Sequence, residues 1–439
     1  MSPITGAAVA ILFLVATAAY AETSPPAVKA PPGLTDMQTG RLLLRAGRLE
    51  HARAFLLQAR PSGEEEEVER LFLLGRIEMR LGLPRRAIER FEAILVLRPG
   101  LTRVRLELAR AYYLTGSDDK ARYHFGLTTG DSLPSSVEAT VDEFLRRIDA
   151  RKRWSVSVSA AILPESNPAR RTESQEVRIG NVPFRLDDDA RSSSGVGTLL
   201  GAGASFSPAI ADDLRAALAA STAAKLYERS DWNDISVSGD IGLARLADRG
   251  SLSGGLRLGR RWLGGEPDHR SLGPWARAGW RLFASTRLDL DFSALDRSHD
   301  TRRFLDGWRI AVRPRLRHVL DVRTLIEIEP DFEIARARTA HNASRRLGFG
   351  ATVTRAFEGG FSLSVSPAVH LRRFDGRHPL FAKRRLDRGL RVGVRALHRS
   401  VQYAGFAPYI GYSYERNGSN IALYEYRNHG AAFGVTRSF

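Results

Sequence analysis

Two runs of charge have a spacing that does chemistry. Arg313, Arg315 and Arg317 alternate with apolar residues, and Glu327, Glu329 and Asp331 do the same shortly afterwards. If residues 319–325 form a hairpin centred on Val322, Arg317 faces Glu327, Arg315 faces Glu329 and Arg313 faces Asp331. A ladder of guanidinium and carboxylate groups does electrostatic work and breaks no bonds; each cross-strand pair contributes a few tenths to about 1 kcal/mol. No other part of the chain supplies a catalytic set. There is no cysteine, which excludes disulfides, thiolate nucleophiles and Cys-ligated zinc or iron–sulfur sites. The ten histidines are scattered, with no His-x-x-x-His or His-Glu spacing, and no Gly-x-Ser-x-Gly elbow occurs. Gly195-Val196-Gly197 and Gly201-Ala202-Gly203 fall within strand patterns, so they read as close packing rather than phosphate loops. Asp187-Asp188-Asp189 could hold a divalent cation weakly but reads better as a solvated loop. The expectation is a protein with no catalytic residue, no bound metal and no cofactor.

The elements that must position the ladder have a period of two. From Trp154 onward, apolar and polar residues alternate over segments of ten or more, with Pro, Gly, Asn and Asp clusters between them. Trp308, Ile310, Val312, Pro314 and Leu316 alternate with Arg309, Ala311, Arg313, Arg315 and Arg317. Ile326, Ile328, Pro330, Phe332 and Ile334 alternate with Glu327, Glu329, Asp331 and Glu333. A soluble sandwich would also alternate, but its strands average about five or six residues and its outer face is rarely so rich in arginine. Long two-faced strands are instead the pattern of a transmembrane barrel, apolar toward lipid and charged toward the lumen. Fourteen such segments begin near residues 153, 196, 213, 232, 250, 272, 286, 306, 323, 345, 360, 387, 403 and 429. Trp154, Trp232, Trp262, Trp275, Trp308, Tyr412 and Tyr414 lie near strand ends, as interfacial girdles require.

Before the barrel the period is helical. Gly47, Gly82 and Gly116 each precede an alanine by five residues (Ala52, Ala87, Ala121), and four residues later come Leu56, Phe91 and Phe125. The clearest copy contains Gly75, Ala87 and Phe91; the next, 34 residues on, contains Tyr112, Ala121 and Phe125. These spacings resemble the tetratricopeptide repeat, in which small residues let two antiparallel helices pack closely. A closing helix over 137–148 would cover the last apolar face. The acidic run 64–67 suits the start of a helix, where carboxylates meet the positive end of the dipole.

Residues 1–21 carry no charged side chain, contain a short apolar stretch and end Ala19-Tyr20-Ala21, a signal-peptidase pattern. The expected domains are a signal peptide (1–21), a linker (22–34), a periplasmic helical domain (35–150) and an outer-membrane β-barrel (151–439). The fold class is therefore α + β multidomain: tetratricopeptide-like repeats followed by a transmembrane antiparallel barrel of about 14 strands. The net charge of +17, nearly all of it from arginine since only five lysines occur, would ordinarily point to nucleic acid. Export makes that partner inapplicable and assigns the charge to lumen and loops, where lipopolysaccharide and cargo are the anionic partners. The chain ends Gly434-Val435-Thr436-Arg437-Ser438-Phe439, which resembles the assembly signal of outer-membrane proteins, with Arg437 where an apolar residue is usual.

A signal peptide, a short helical repeat domain and a barrel of about fourteen strands together resemble the surface lipoprotein assembly modifier family, the type XI secretion proteins. Trp154, followed by Pro164-Glu165-Ser166-Asn167, is similar to the Trp…Pro-Asp-Ser-Asn stretch at the start of that family's barrel, although Pro168-Ala169-Arg170 replaces its second Asn-rich part. The resemblance implies an outer-membrane translocator that moves specific lipoproteins or soluble protein cargo from periplasm to cell surface. It implies as partners that cargo, periplasmic chaperones, the barrel assembly machinery, and outer-membrane lipid and lipopolysaccharide. The alternative is a polysaccharide-export porin, for which a lumen lined by Arg309, Arg313, Arg315, Arg391 and Arg395 would suit an anionic polymer. A barrel enzyme acting on lipid would need a lipid-facing Ser/His/Asp set, and none is apparent.

Overall fold

The computed structural model describes residues 30–131, 133–151, 153–247, 250–398, 401, 403 and 406–437. The expected signal peptide (1–21), most of the linker and the terminal Phe439 lie outside them. The described residues form α1 (Asp36–Arg45), α2 (Leu49–Gln58), α3 (Glu64–Arg80), α4 (Pro84–Leu97), α5 (Thr102–Leu114), α6 (Asp118–Thr128) and α7 (Ser135–Arg151). Then come β1 (Trp154–Glu165), β2 (Glu176–Ile179), β3 (Val182–Arg185), β4 (Gly195–Phe206), β5 (Leu214–Tyr227), β6 (Asp234–Ala247), β7 (Gly250–Leu263) and β8 (Glu266–Phe283). β9 (Thr286–His299), β10 (Gly307–Asp321), β11 (Thr324–Ala335), β12 (Ser344–Ala356), β13 (Phe361–Arg377), β14 (Arg384–His398), β15 (Ala407–Ser419) and β16 (Tyr426–Thr436) complete the chain. Two compact units meet at Leu73/Leu74, inside α3. None of the described helices is long and apolar enough to cross a membrane.

Local chemistry sets the helix boundaries. Thr35 caps α1: its hydroxyl accepts from the Gln38 N–H at 3.2 Å, while the Gln38 side chain accepts from the Thr35 N–H at 3.0 Å. Glu64–Glu67 fill the first turn of α3, and Pro84 starts α4, where its missing N–H costs nothing. Gly47, Gly82 and Gly116 terminate α1, α3 and α5 with φ of 75°, 74° and 76°. After each, the next N–H reaches back across the turn, Arg48 to Leu43 O, Leu83 to Glu78 O and Ser117 to Tyr112 O. Only glycine adopts that left-handed turn without strain, so the spacing seen in the sequence is one closing motif used three times.

In the first unit, α1 and α2 approach so closely that a Cβ on Gly40 would lie 2.7 Å from Leu56 Cγ. The second unit repeats the arrangement between α3 and α4, where a Cβ on Gly75 would meet Phe91 at 2.5 Å. Ala87, Phe91, Ala121, Phe125 and Tyr112 are all buried. α7 is tied to the preceding pair by Arg151, whose guanidinium lies 3.9 Å from the Tyr113 ring centroid. Its Nε donates to Asp118 at 2.8 Å, and its Nη2 to Tyr113 O at 2.6 Å.

From Trp154 the same unit becomes a closed antiparallel barrel of fourteen strands. β4 to β16 pair in sequence order, β1 bonds to β4 on one side, and β16 closes the ring on the other. The strands start close to where the alternation places them. β2 and β3 stand apart as a two-stranded hairpin in the first long connection, too short and too exposed for the alternation to reveal. Apolar side chains alternate outward, among them Ile241 at 59 %, Leu252 at 60 % and Ile410 at 60 % exposure, and form the apolar outer face of a barrel in lipid. Trp154 and Trp308 are exposed as girdle residues should be, but Trp232 and Trp275 are buried. Trp232 packs on Tyr227 beneath Arg229, and Arg257 and Arg277 flank Trp275, so these two rings serve cation–π contacts instead of the interface.

The closing seam is tight. Ser159 to Ile162 pair with Thr436 to Phe433, then pairing lapses until Glu165 and Gly430. Pro164 lies in that gap and has no N–H to give. A Cβ on Gly434 would lie 2.3 Å from Ala160 O and 2.6 Å from Ala161 Cβ.

Candidate functional site

The inner wall is defined by contacts that leap over a strand. Adjacent strands are about 4.8 Å apart, so side chains two strands apart meet only on the concave side of a closed wall. Arg372 of β13 reaches Glu333 of β11 at 3.4 Å across β12. Tyr227 of β5 bonds Glu165 of β1 across β4. By alternation, Arg313, Arg315 and Arg317 share the face of Arg309, and Glu327, Glu329 and Asp331 share that of Glu333.

Within the ladder, Arg317 pairs with Glu327 in register, and its Nη2 lies 3.0 Å from the carboxylate. Arg315 bonds Glu329, and Arg309 bonds Glu333 one diagonal step away. The third rung differs from expectation. Asp331 is held by Arg346 of β12 at 3.5 Å, while Arg313 stands opposite Asp291 of β9, itself bonded to Arg277 at 3.0 Å. A long arginine side chain reaches diagonal neighbours as well as direct ones, so a carboxylate with arginines on both sides takes the better-placed one. The other arginines of the expected lining divide as well. Arg391 reaches Glu415 at 3.2 Å, and Arg395 lies 3.9 Å from the Tyr409 ring centroid.

The connection after β1 folds back as a clasp on the last hairpin. Asn167, 1 % exposed, donates from Nδ2 to Arg427 O at 3.0 Å and to Arg171 O at 2.7 Å. Its backbone N–H donates to Asn428 Oδ1 at 2.9 Å, and Asn428 Nδ2 donates to Glu165 at 2.7 Å. Thr172 donates to Ala422 O at 2.8 Å. Arg170 reaches Glu415 at 3.2 Å from a left-handed backbone, φ 52°, a conformation the surrounding bonds must hold. Burial opposes the Arg170 charge, but Glu415 outweighs it and raises the guanidinium's affinity for its proton. The Pro164-Glu165-Ser166-Asn167 motif is thus the hinge of this clasp. Its partner, Asn428, lies 261 residues away and is invisible to local pattern reading.

In two other clusters the carboxylates are engaged by arginine. Asp188 holds Arg191 and Asp189 holds Arg229 at 3.2 Å, which leaves the Asp187–Asp189 run neutralised by arginine. Asp268, His269 and His299 bring ligand-type atoms within 4.8 Å of one another, yet Arg302 bonds Asp268 and Arg261 lies 3.7 Å from it. Two guanidiniums on the only carboxylate of the trio oppose a second cation.

At the end of the barrel where β10 turns into β11, the helices of the same unit make contact. A Cβ on Gly130 would lie 2.8 Å from Val319 Cγ1, and Asp142 of α7 bonds Arg281 of β8 at 2.5 Å. A cavity of about 100 Å³ lies between helices and barrel, lined by Glu92, Leu95, Tyr112, His124, Phe357 and Phe361. Inside it Tyr112 stacks on His124 and bonds Glu92; burial and then the Glu92 charge push the phenol well above its ordinary range.

Residues 154–439 match the model of a family described as surface lipoprotein assembly modifier. Surface lipoprotein assembly modifier 1 of Haemophilus influenzae is 20% identical over 355 residues, which are 76% of this chain and 70% of that protein. Among solved structures, a bacterial polysaccharide outer membrane secretin aligns with 64% of this chain and 98% of its own at 10% identity and a TM-score of 0.34. A FadL homologue from Pseudomonas aeruginosa aligns with 67% of this chain and 91% of its own at 9% identity and a TM-score of 0.38.

Proposed function

The chain belongs to the surface lipoprotein assembly modifier family, and from that premise we propose that it moves specific lipoproteins or soluble protein cargo from periplasm to cell surface. It is an outer-membrane β-barrel protein of a Gram-negative bacterium, with the family and fold of a transport barrel rather than an enzyme class. In this reading residues 1–21 are a signal peptide, 22–34 a linker, 35–150 a periplasmic tetratricopeptide-like domain and 151–439 the barrel that provides the route out. The helical domain engages cargo or a periplasmic chaperone, because repeated helix pairs offer extended surfaces for peptides. The barrel assembly machinery inserts the chain, with Gly434 and Phe439 as its assembly signal, and lipid and lipopolysaccharide surround it.

The observation that carries the proposal is the family match across the whole barrel, joined to helices that contact one end of that same barrel through Asp142–Arg281. That position lets a captured segment pass from the helical surface to the lumen without release. The charged ladder of Arg313, Arg315, Arg317, Glu327, Glu329 and Asp331 keeps that stretch of the lumen wall polar, which limits apolar adhesion of a passing polypeptide.

The test is deletion of the gene, with surface-exposed protein followed by protease shaving and exported polysaccharide measured in parallel. Loss of a defined set of surface proteins with polymer unchanged is the expected result. Lost polymer with unchanged surface protein would reject cargo transport in favour of polysaccharide export. Pull-down with residues 34–150 then asks which cargo or chaperone the helices hold.

A further inference from the structure

Four guanidiniums on the inner wall, those of Arg297, Arg309, Arg346 and Arg372, each keep an unmet Nε after the ion pairs are assigned. Glu333, 5 % exposed, lies among Arg309 of β10, Arg346 of β12 and Arg372 of β13. It bonds Arg309 and accepts from Arg372 at 3.4 Å, while Arg346 reaches Asp331 at 3.5 Å. Arg297 of β9 stands in register with Gly307, so Arg309, two residues further, is its diagonal neighbour on the same face. Among the described residues no carboxylate pairs with Arg297. The Nε groups of Arg297, Arg309, Arg346 and Arg372 are all shielded from solvent and donate to nothing.

Four cations against two carboxylates leave a local surplus of about two positive charges, with buried donors that are costly to leave unmet. Such a surplus is not needed for a neutral ladder. A planar guanidinium presents a fork of donors matched to oxyanions, and several forks around one point favour an anion with many acceptor oxygens over a single carboxylate. Nearby acids are engaged elsewhere: Asp387 lies 2.7 Å from Arg385, and Asp291 bonds Arg277.

The geometry points to an oxyanion-binding site on the lumen wall, formed by Arg297, Arg309, Arg346 and Arg372, that takes a group of the phosphate class. It lies inside the closed wall, so its ligand is a phosphate or phosphate ester entering the lumen and not a headgroup of the surrounding bilayer. This goes beyond the transport reading and does not rest on it.

The test uses full-length protein in detergent micelles with inorganic pyrophosphate as probe. Loss of the compact, heat-modifiable form is followed against temperature, in pyrophosphate, in citrate and in sodium chloride of equal ionic strength, so that general screening cancels. Pyrophosphate is expected to raise the midpoint saturably, above citrate and with no matching effect of chloride. Arg297→Gln orphans no carboxylate and should raise the half-saturating concentration at least tenfold. Arg245→Gln, at an exposed residue bonded to Asp213, should leave it unchanged. If Arg297→Gln fails to fold, Arg297→Lys keeps the charge but loses the fork, and should still weaken pyrophosphate severalfold. A midpoint that follows ionic strength alone, citrate matching pyrophosphate, or equal saturation in the Arg297 variants would overturn the site.

Discussion

The helices and the barrel bury opposite things. In the helical part of the second unit, Leu74, Phe91 and Leu108 are wholly enclosed, and the charged residues lie mostly outside, Glu78 and Arg105 being buried exceptions. In the barrel the same apolar types point outward, while Glu333, Asp387 and Asn428 are the enclosed groups. One chain thus carries two solvents in its sequence, water around a period near 3.6 and lipid around a period of two. The inversion also changes what holds each part together. Helix pairs close on shape, with Gly75 against Phe91; the barrel closes on hydrogen-bonded strands, with ion pairs lining the inside. Both rely on a glycine at a close approach: Gly75 leaves room for the Phe91 ring, and Gly434 for the backbone of Ala160.

The largest effect that tests this contrast is expected at Phe91. Phe91→Ala empties a core position and should cost the helical part about 3–5 kcal/mol, read by urea unfolding of the helical circular dichroism signal while heat-modifiable migration persists. Phe433→Ala, on a side chain that faces outward, should cost distinctly less. Equal losses would mean that the two environments are not inverted. Next comes a pair of residues matched in exposure. Ile241, near the middle of β6, and Leu114, at the end of α5, are 59 % and 55 % exposed. Ile241→Arg should cost about 2–4 kcal/mol on folding into lipid vesicles, whereas Leu114→Arg should stay within about 0.5 kcal/mol, as surface changes in water do. Similar costs would show that Ile241 does not face lipid.

Smaller again is the seam. Gly434→Ala drives a methyl to 2.3 Å from Ala160 O, so overpacking of about 1–3 kcal/mol should reduce the fraction of compact barrel seen in gels. Gly393→Ala on β14, where the nearest atom is 3.8 Å away, should not. If both variants assemble alike, close approach at the seam is not what Gly434 provides.

The contrast was also what made much of the fold readable. Alternation fixes which residues share a face, so the start of nearly every barrel strand, the Arg317–Glu327 and Arg315–Glu329 partners and the glycine-closed helix pairs follow from spacing alone. Contacts between segments far apart in the chain do not. The Asn167–Asn428 clasp joins the first barrel strand to the last, and no periodicity links them. Asp331 turns to Arg346 because strand tilt favours a diagonal on β12, a quantity set by closure of the whole ring. Trp275, expected near a strand end, lies mid-strand and faces inward, because β8 begins at Glu266, earlier than the alternation places it, and parity fixes the side. Nothing in the local sequence sets Arg297 apart from the other barrel arginines; its unmet Nε depends on which arginines the neighbouring strands give to the nearby carboxylates.

The smallest predicted effect bears on whether the ladder is a set of pairs or only a field of mixed charge. Arg315 and Glu329 are bonded while their side chains stay 51 % and 43 % exposed, so water screens much of their attraction. Glu329→Arg should therefore destabilise the barrel by only a few tenths to about 1 kcal/mol, or shift single-channel conductance. Adding Arg315→Glu restores opposite charges across the same rung and should recover the wild-type value. A general field would instead answer to net charge: Glu329→Arg adds two positive charges, Arg315→Glu removes two, and rescue would follow equally from Arg391→Glu elsewhere on the wall. Rescue confined to Arg315→Glu identifies a specific pair; rescue by either substitution assigns the effect to the lumen's total charge.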